Sequence, residues 1–150
     1  MSNNILLGSK EYFPNINKIT YEGTESTNPL AFKYYNEDSV VSGKTMREHF
    51  RFAVAYWHTF CGTGSDPFGP GTKIFPWYQK TNPMKAAGYR LDAAFEFFTK
   101  LGVPFYCFHD RDISPEGQSI EESENNLKYI VSLAEEKQEN RQSNQNKGGY

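Results

Sequence analysis

Two hydrophobic periods alternate along the chain. Phe52-Ala53-Val54-Ala55-Tyr56-Trp57-His58 is a short, continuous, aromatic-rich apolar run, the pattern of a strand buried on both faces of a parallel sheet. Between about Pro83 and Lys100 the period lengthens. Leu91, Ala94, Phe95, Phe98 and Leu101 recur at helical spacing and predict a helix with one apolar stripe for the core. Pro83 suits its first turn and Gly102 its end. Val103 to Phe108 then reads as a second strand. Ser119-Ile120-Glu121-Glu122 is a capping-box pattern opening a second helix, whose buried face includes Leu127, Ile130, Val131 and Ala134.

The flanks are different. Residues 1–52 carry turn signals at Glu22-Gly23, Asn28-Pro29 and Ser42-Gly43, with a short helix expected over Thr45–Phe52 that sets Met46 and Phe50 on one side. Gly43-Lys44-Thr45 imitates the end of a phosphate-binding loop, but Asp38 stands where that loop needs its first glycine. At the other end, residues 139–150 offer no apolar side chain before Tyr150 and are expected to be a disordered tail. The order strand, loop, helix, strand, loop, helix over 53–138 makes two βα units with one crossover, the start of an α/β sheet or barrel.

Composition narrows the class. The chain has 150 residues, 16% of them aromatic, with 12 Phe and 10 Tyr, enough for a packed core or an aromatic sugar-type pocket. A net charge of −2 with a pI near 5.9 argues against a nucleic-acid partner. No run approaches the ~18 apolar residues of a membrane span. Met1 to Gly8 lacks the charged start and long apolar stretch of a signal peptide, so a soluble, cytoplasmic location is expected. In that setting Cys61 and Cys107 read as reduced thiols.

The chemistry concentrates in Phe105-Tyr106-Cys107-Phe108-His109-Asp110-Arg111-Asp112, where an aromatic strand runs into a histidine and two carboxylates. Asp112 stands three positions after His109, so the carboxylate can turn back and hold one imidazole nitrogen, leaving the other for proton transfer. Such pairs are common near strand ends, and residue roles alone leave a structural reading open beside the catalytic one. After the first strand comes a glycine-rich loop, Cys61-Gly62-Thr63-Gly64-Ser65-Asp66-Pro67-Phe68-Gly69-Pro70-Gly71-Thr72. No helix begins at its glycines, so it lacks the dipole that seats a phosphate. It reads as an ordered excursion stiffened by Pro67 and Pro70, holding Phe68 out at its tip.

Several of these segments together resemble xylose isomerase, in the variant of that family with an N-terminal extension. Asn28-Pro29-Leu30-Ala31-Phe32-Lys33-Tyr34-Tyr35-Asn36, Tyr56-Trp57-His58-Thr59, Asp66-Pro67-Phe68-Gly69 and Phe105 to Asp112 carry the likeness, in order and at similar spacing. Ser114-Pro115-Glu116-Gly117 and Ser119 to Glu122 continue it, so that it covers about Glu11 to Gln138. The resemblance implies a TIM (β/α)8 barrel, here incomplete: an N-terminal extension over 1–52 and the first two βα units over 53–138. It also implies a homotetrameric aldose–ketose isomerase acting on D-xylose or D-glucose type sugars with two divalent cations, Mg²⁺ or else Mn²⁺ or Co²⁺. Position by position, His109 matches the histidine that assists sugar ring opening, and Asp112 the carboxylate that orients it. Trp57 matches an aromatic wall of the sugar pocket, and Phe68 the loop aromatic that reaches into a neighbouring subunit's site. The family's metal ligands and catalytic lysine lie on later strands and have no counterpart here. The expectation is therefore a truncated isomerase, inactive alone, with a non-catalytic remnant that binds a full-length subunit as the alternative.

Overall fold

The computed structural model describes residues 10–79 and 82–147. The reading of Met1 to Gly8 as carrying no signal peptide lies outside the described residues, as do residues 148–150 of the expected tail. Among the described residues, no helix is long and apolar enough to cross a membrane.

The N-terminal part is held by local chemistry. Strands β1 (Val40–Val41) and β2 (Lys44–Thr45) pair antiparallel across Ser42 and Gly43, at φ 51° and 79°. This left-handed two-residue turn matches the twist of a hairpin, and it is why a glycine stands at position 43. Helix α1 (Met46–His49) follows at once under a capping box: Thr45 Oγ1 accepts from Glu48 N at 3.3 Å, and Glu48 Oε2 accepts from Thr45 N at 2.7 Å. The expected helix over Thr45–Phe52 thus stops after one turn. Phe50 and Phe52 stack with ring centroids 5.7 Å apart, and Tyr35 sets its ring edge-on against both. Two side chains spaced by two residues share a side only on extended backbone, so this cluster competes with the helix and wins.

Strands β3 (Ala53–Ala55) and β4 (Phe105–Cys107) form the parallel pair, with Ala53 opposite Phe105 and Ala55 opposite Cys107. The run Phe52–His58 was expected to be one strand buried on both faces. Only three of its residues are strand, and burial falls on Val54 and Tyr56 while Ala53 and Trp57 are exposed. From Trp57 to Cys61 the chain coils into a π-helical turn, closed by Gly62 N donating to Trp57 O at 2.8 Å. Thr59 Oγ1 donates to Ala55 O at 3.0 Å and bends the strand into that turn.

Helix α2 (Pro83–Leu101) forms the crossover. Asn82 Oδ1 accepts from Lys85 N at 2.9 Å, Pro83 opens the first turn, and Gly102 closes the helix at φ 77°. Its stripe is buried as expected at Leu91, Ala94, Phe95 and Phe98, and Phe98 stacks on Tyr106 of β4 with centroids 4.9 Å apart. After the one-turn helix α3 (Asp110–Ile113), helix α4 (Ile120–Lys147) lays Ile130 and Ala134 into the same core. Ser119 caps it by accepting from Glu122 N, while Glu122 reaches Gln118 N rather than the cap's own N–H. Helix α4 continues through Lys147, beyond the point where composition suggested disorder. Arg141 explains the difference: it is buried and donates from Nη2 to Phe98 O at 3.1 Å and to Val103 O at 2.5 Å. Among the described residues the architecture is a mixed α/β one with two small two-stranded sheets; a pair of parallel strands does not itself make a barrel.

A buried ion pair ties the N-terminal part to α2. Glu96 is 0% exposed, accepts from Tyr12 N at 2.8 Å and Phe13 N at 2.9 Å, and pairs with Lys100 Nζ at 2.8 Å. Lys100 also donates to Glu11 Oε1 and to Phe13 O. Burial alone would pull the Lys100 pKa down, but hydrogen bonds to Glu96 and Glu11 outweigh it and raise it above the ordinary 10.5. A raised lysine favours the fold fully below its unfolded pKa, and that contribution fades only as pH climbs through the folded value. Glu96→Ala leaves this ammonium only its part-exposed Glu11 carboxylate and the Phe13 carbonyl and frees two backbone donors, so urea denaturation should show a loss of about 2–5 kcal/mol. An unchanged midpoint would contradict the clamp.

Candidate active site

His109 and Asp112 sit where β4 ends. His109 caps α3 and Asp112 is that helix's third residue, so one carboxylate serves two purposes. Asp112 Oδ2 accepts from His109 N at 2.8 Å and from His109 Nδ1 at 2.8 Å. An oxygen that accepts the backbone N–H also wants a donor from the ring, which places the imidazole proton on Nδ1 and leaves the Nε2 lone pair open. The burial of the two partners is opposite: the Asp112 side chain is 5% exposed and the His109 side chain 83%. A sheltered carboxylate thus holds a solvent-facing imidazole. Asp110 plays no part in it. Its Oδ1 accepts from Arg111 N at 2.8 Å, and its carboxylate faces the Arg111 guanidinium.

Trp57 follows β3 by two residues, as His109 follows β4, and the Ala55–Cys107 register brings both to the same end of the parallel pair. Its indole is 48% exposed and stands edge-on to His58, centroids 5.2 Å apart. The half-exposed indole thus offers an apolar face at the strand end from which His109 also emerges. This is the C-terminal end of the strands, where parallel α/β folds place their chemistry. A cavity of about 400 Å³ lined by Phe32, Tyr35, Phe50, Phe52 and Val103, with the Glu37 and Arg47 side chains also at its wall, lies at the opposite, N-terminal end.

Phe68 stands apart from this group. Asp66 Oδ1 accepts from Phe68 N at 2.9 Å and Gly69 N at 3.0 Å, a local turn that leaves the Phe68 ring 97% exposed. The loop is pinched at its base, where Lys73 N donates to Thr63 O at 3.1 Å. Gly71 allows this: a Cβ there would lie 2.2 Å from Thr63 Oγ1 and 2.8 Å from Thr63 O. The glycine serves close backbone approach, not an anion. Among the described residues, no group of three or more His, Cys, Asp or Glu side chains converges as a divalent cation requires, so these residues do not fit a metal centre.

Residue-by-residue reading missed Cys61, whose Sγ donates to Asp112 O at 3.4 Å, and Tyr78, whose hydroxyl donates to Cys61 O at 3.3 Å. The one available signal was the position of Cys61 four residues after Trp57, and it is informative only once that segment is known to be helical. Gly71→Ala should force the loop base open, with a stability loss of about 1–3 kcal/mol and faster proteolysis between Gly62 and Lys73. A variant as stable and as resistant as the parent would refute the pinch.

No protein-family model matches the chain. It is 59% identical over 138 residues to "Xylose isomerase 2" of Xanthomonas campestris pv. campestris (strain 8004), which takes in 92% of this chain and 31% of that protein. To "Xylose isomerase" of Xanthomonas oryzae pv. oryzae (strain MAFF 311018) it is 58% identical over the same shares, 92% and 31%. To "Xylose isomerase 1" of Xanthomonas axonopodis pv. citri (strain 306) it is 58% identical over 88% of this chain and 30% of that protein. The chain is therefore homologous to xylose isomerases, and it spans about a third of the length of these curated relatives, matching their N-terminal portion.

Proposed function

We propose that this chain forms the ring-opening part of an aldose–ketose isomerase that interconverts D-xylose and D-xylulose. The observation that carries the reading is the His109–Asp112 contact at a strand's C-terminal end, within a sequence 59% identical to a named xylose isomerase. In this reading β3 and β4 are the first two strands of a (β/α)8 barrel completed by the remainder of a full-length enzyme, which is cytoplasmic and homotetrameric. Phe68 reaches from its loop toward a neighbouring subunit's sugar, and Trp57 walls the pocket beside His109. The same pocket admits D-glucose type sugars.

The chemistry follows from the held imidazole. Neutral Nε2 takes the proton of the anomeric hydroxyl while the bond from C1 to the ring oxygen breaks and C1 becomes an aldehyde. The resulting imidazolium returns a proton to the departing ring oxygen, so the histidine is regenerated. Asp112 keeps the ring aimed and stabilises its charged form during transfer, and the Trp57 face excludes water from one side of the sugar. Hydrogen transfer between C1 and C2 is assigned to no residue described here. Two divalent cations belong to the proposed complete enzyme, with ligands supplied by its other strands.

A chimaera tests this directly: these 138 matched residues replace their counterpart in the Xanthomonas campestris relative. It should make D-xylulose, and His109→Ala should lower kcat by about 10²–10⁴-fold. A folded chimaera without turnover would refute the reading. The chain alone, given Mg²⁺ or Mn²⁺, should form no ketose. A second reading, favoured by the 97% exposure of Phe68, is a non-catalytic remnant that associates with a full-length isomerase subunit. Co-purification abolished by Phe68→Ala would support it.

A further inference from the structure

Asp112 is gripped from two sides, and the second grip comes from the end of the other strand. Its carboxylate holds His109, while its backbone carbonyl accepts from Cys61 Sγ at 3.4 Å. Cys61 is the last residue of the π-helical turn that begins at Trp57. The register of that turn matters: one residue more or less per turn would carry position 61 about 100° around the axis and away from Asp112. Two further contacts hold the turn. Phe60 is buried beside Tyr56 with ring centroids 5.1 Å apart, and Tyr78 Oη donates to Cys61 O at 3.3 Å. Burial raises the Cys61 thiol above its ordinary pKa, with the Arg90 charge opposing, so the sulfur keeps its proton and is the donor.

Helix α3 needs such a tether. It has four residues and is closed by few bonds of its own, among them Asp112 N to His109 O at 3.1 Å and Ser114 N to Asp110 O at 3.0 Å. A single turn is not self-sustaining in water, so its orientation is set by what it packs against. Ile113, fully buried, anchors one side, and Cys61 supplies the directional contact at the residue that carries the carboxylate.

We propose that Cys61 is a positioning residue for the His109–Asp112 pair: through the Asp112 carbonyl it fixes the α3 turn and hence the angle at which the carboxylate holds His109 Nδ1. The inference rests on the isomerase reading for what His109 is positioned to do. The Trp57–Cys61 turn then has two outputs, an aromatic wall at its start and the aim of the proton carrier at its end. Catalytic geometry on β4 is thereby set from β3.

Nitrogen-15 spectra of the histidine rings in the 150-residue chain report the tautomer without sugar, metal or turnover. In the parent, His109 should carry its proton on Nδ1. Cys61→Ala should shift the tautomer ratio toward Nε2–H by about threefold, the scale of one weak hydrogen bond. Cys61→Ser keeps a donor toward the Asp112 carbonyl and should retain the parental ratio. His49 and His58 should not change in either variant. An unchanged His109 in Cys61→Ala overturns the proposal. So does an equal shift in both variants, or a shift shared by His49 and His58, because each would mean packing rather than a directed bond. Failure of the isomerase reading would leave this spectral result standing, and failure here would leave that reading intact.

Discussion

The parallel pairing of β3 with β4 is the constraint from which the rest follows. Parallel strands cannot be joined by a tight turn, so the chain between Ala55 and Phe105 must travel back along the sheet before it can pair. Helix α2 is that return path, and its apolar stripe exists to cover the pair it connects. The same register, Ala55 against Cys107, brings the two strand ends level, so the residues two positions beyond each strand leave the sheet at the same end. Trp57 and His109 are those residues.

Covering a two-stranded sheet calls for large side chains, which accounts for the aromatic richness. Phe95 and Phe98 of α2 meet Tyr106 with centroids 5.5 and 4.9 Å away, and Phe60 meets Phe97 and Phe98 from the loop side. Rings at such separations add about 0.5–1.5 kcal/mol per pair beyond the area they bury. Charge enters this interior with partners from distant segments, although the buried Nε atoms of Arg90 and Arg141 are left without a hydrogen-bond partner. Glu96 meets an ammonium and two backbone donors, and Arg141 finds two carbonyls at the end of α2. Each answered charge is also a tether between segments distant in sequence, which apolar packing alone would not direct.

The site follows the same economy. Asp112 caps a helix and orients a histidine with one oxygen, so structural and chemical roles are not separable there. This is why the spacing of His109 and Asp112 was legible beforehand: a capping box and a base–orienter pair both need an acceptor three residues after the cap. Trp57 was legible only through resemblance to xylose isomerases. Cys61 and Tyr78 were hidden because their contacts span 51 and 17 residues of sequence, and the spacing of Cys61 from Trp57 means something only once the π-helical turn is known.

The sequence by itself determined what depends on neighbours along the chain. It set the helical stripe of α2 with its Asn82 and Gly102 ends, the Ser42-Gly43 turn, the Thr45 and Ser119 caps and the His109–Asp112 contact, all of which close within a few residues. Tertiary structure decided what depends on distant partners. It cut the expected strand after Ala55 and stopped α1 so that Phe50 could stack on Phe52. It prolonged α4 because Arg141 finds carbonyls at Phe98 and Val103. A propensity worth a few tenths of a kcal/mol per residue yields wherever a buried ring or a paired charge offers more.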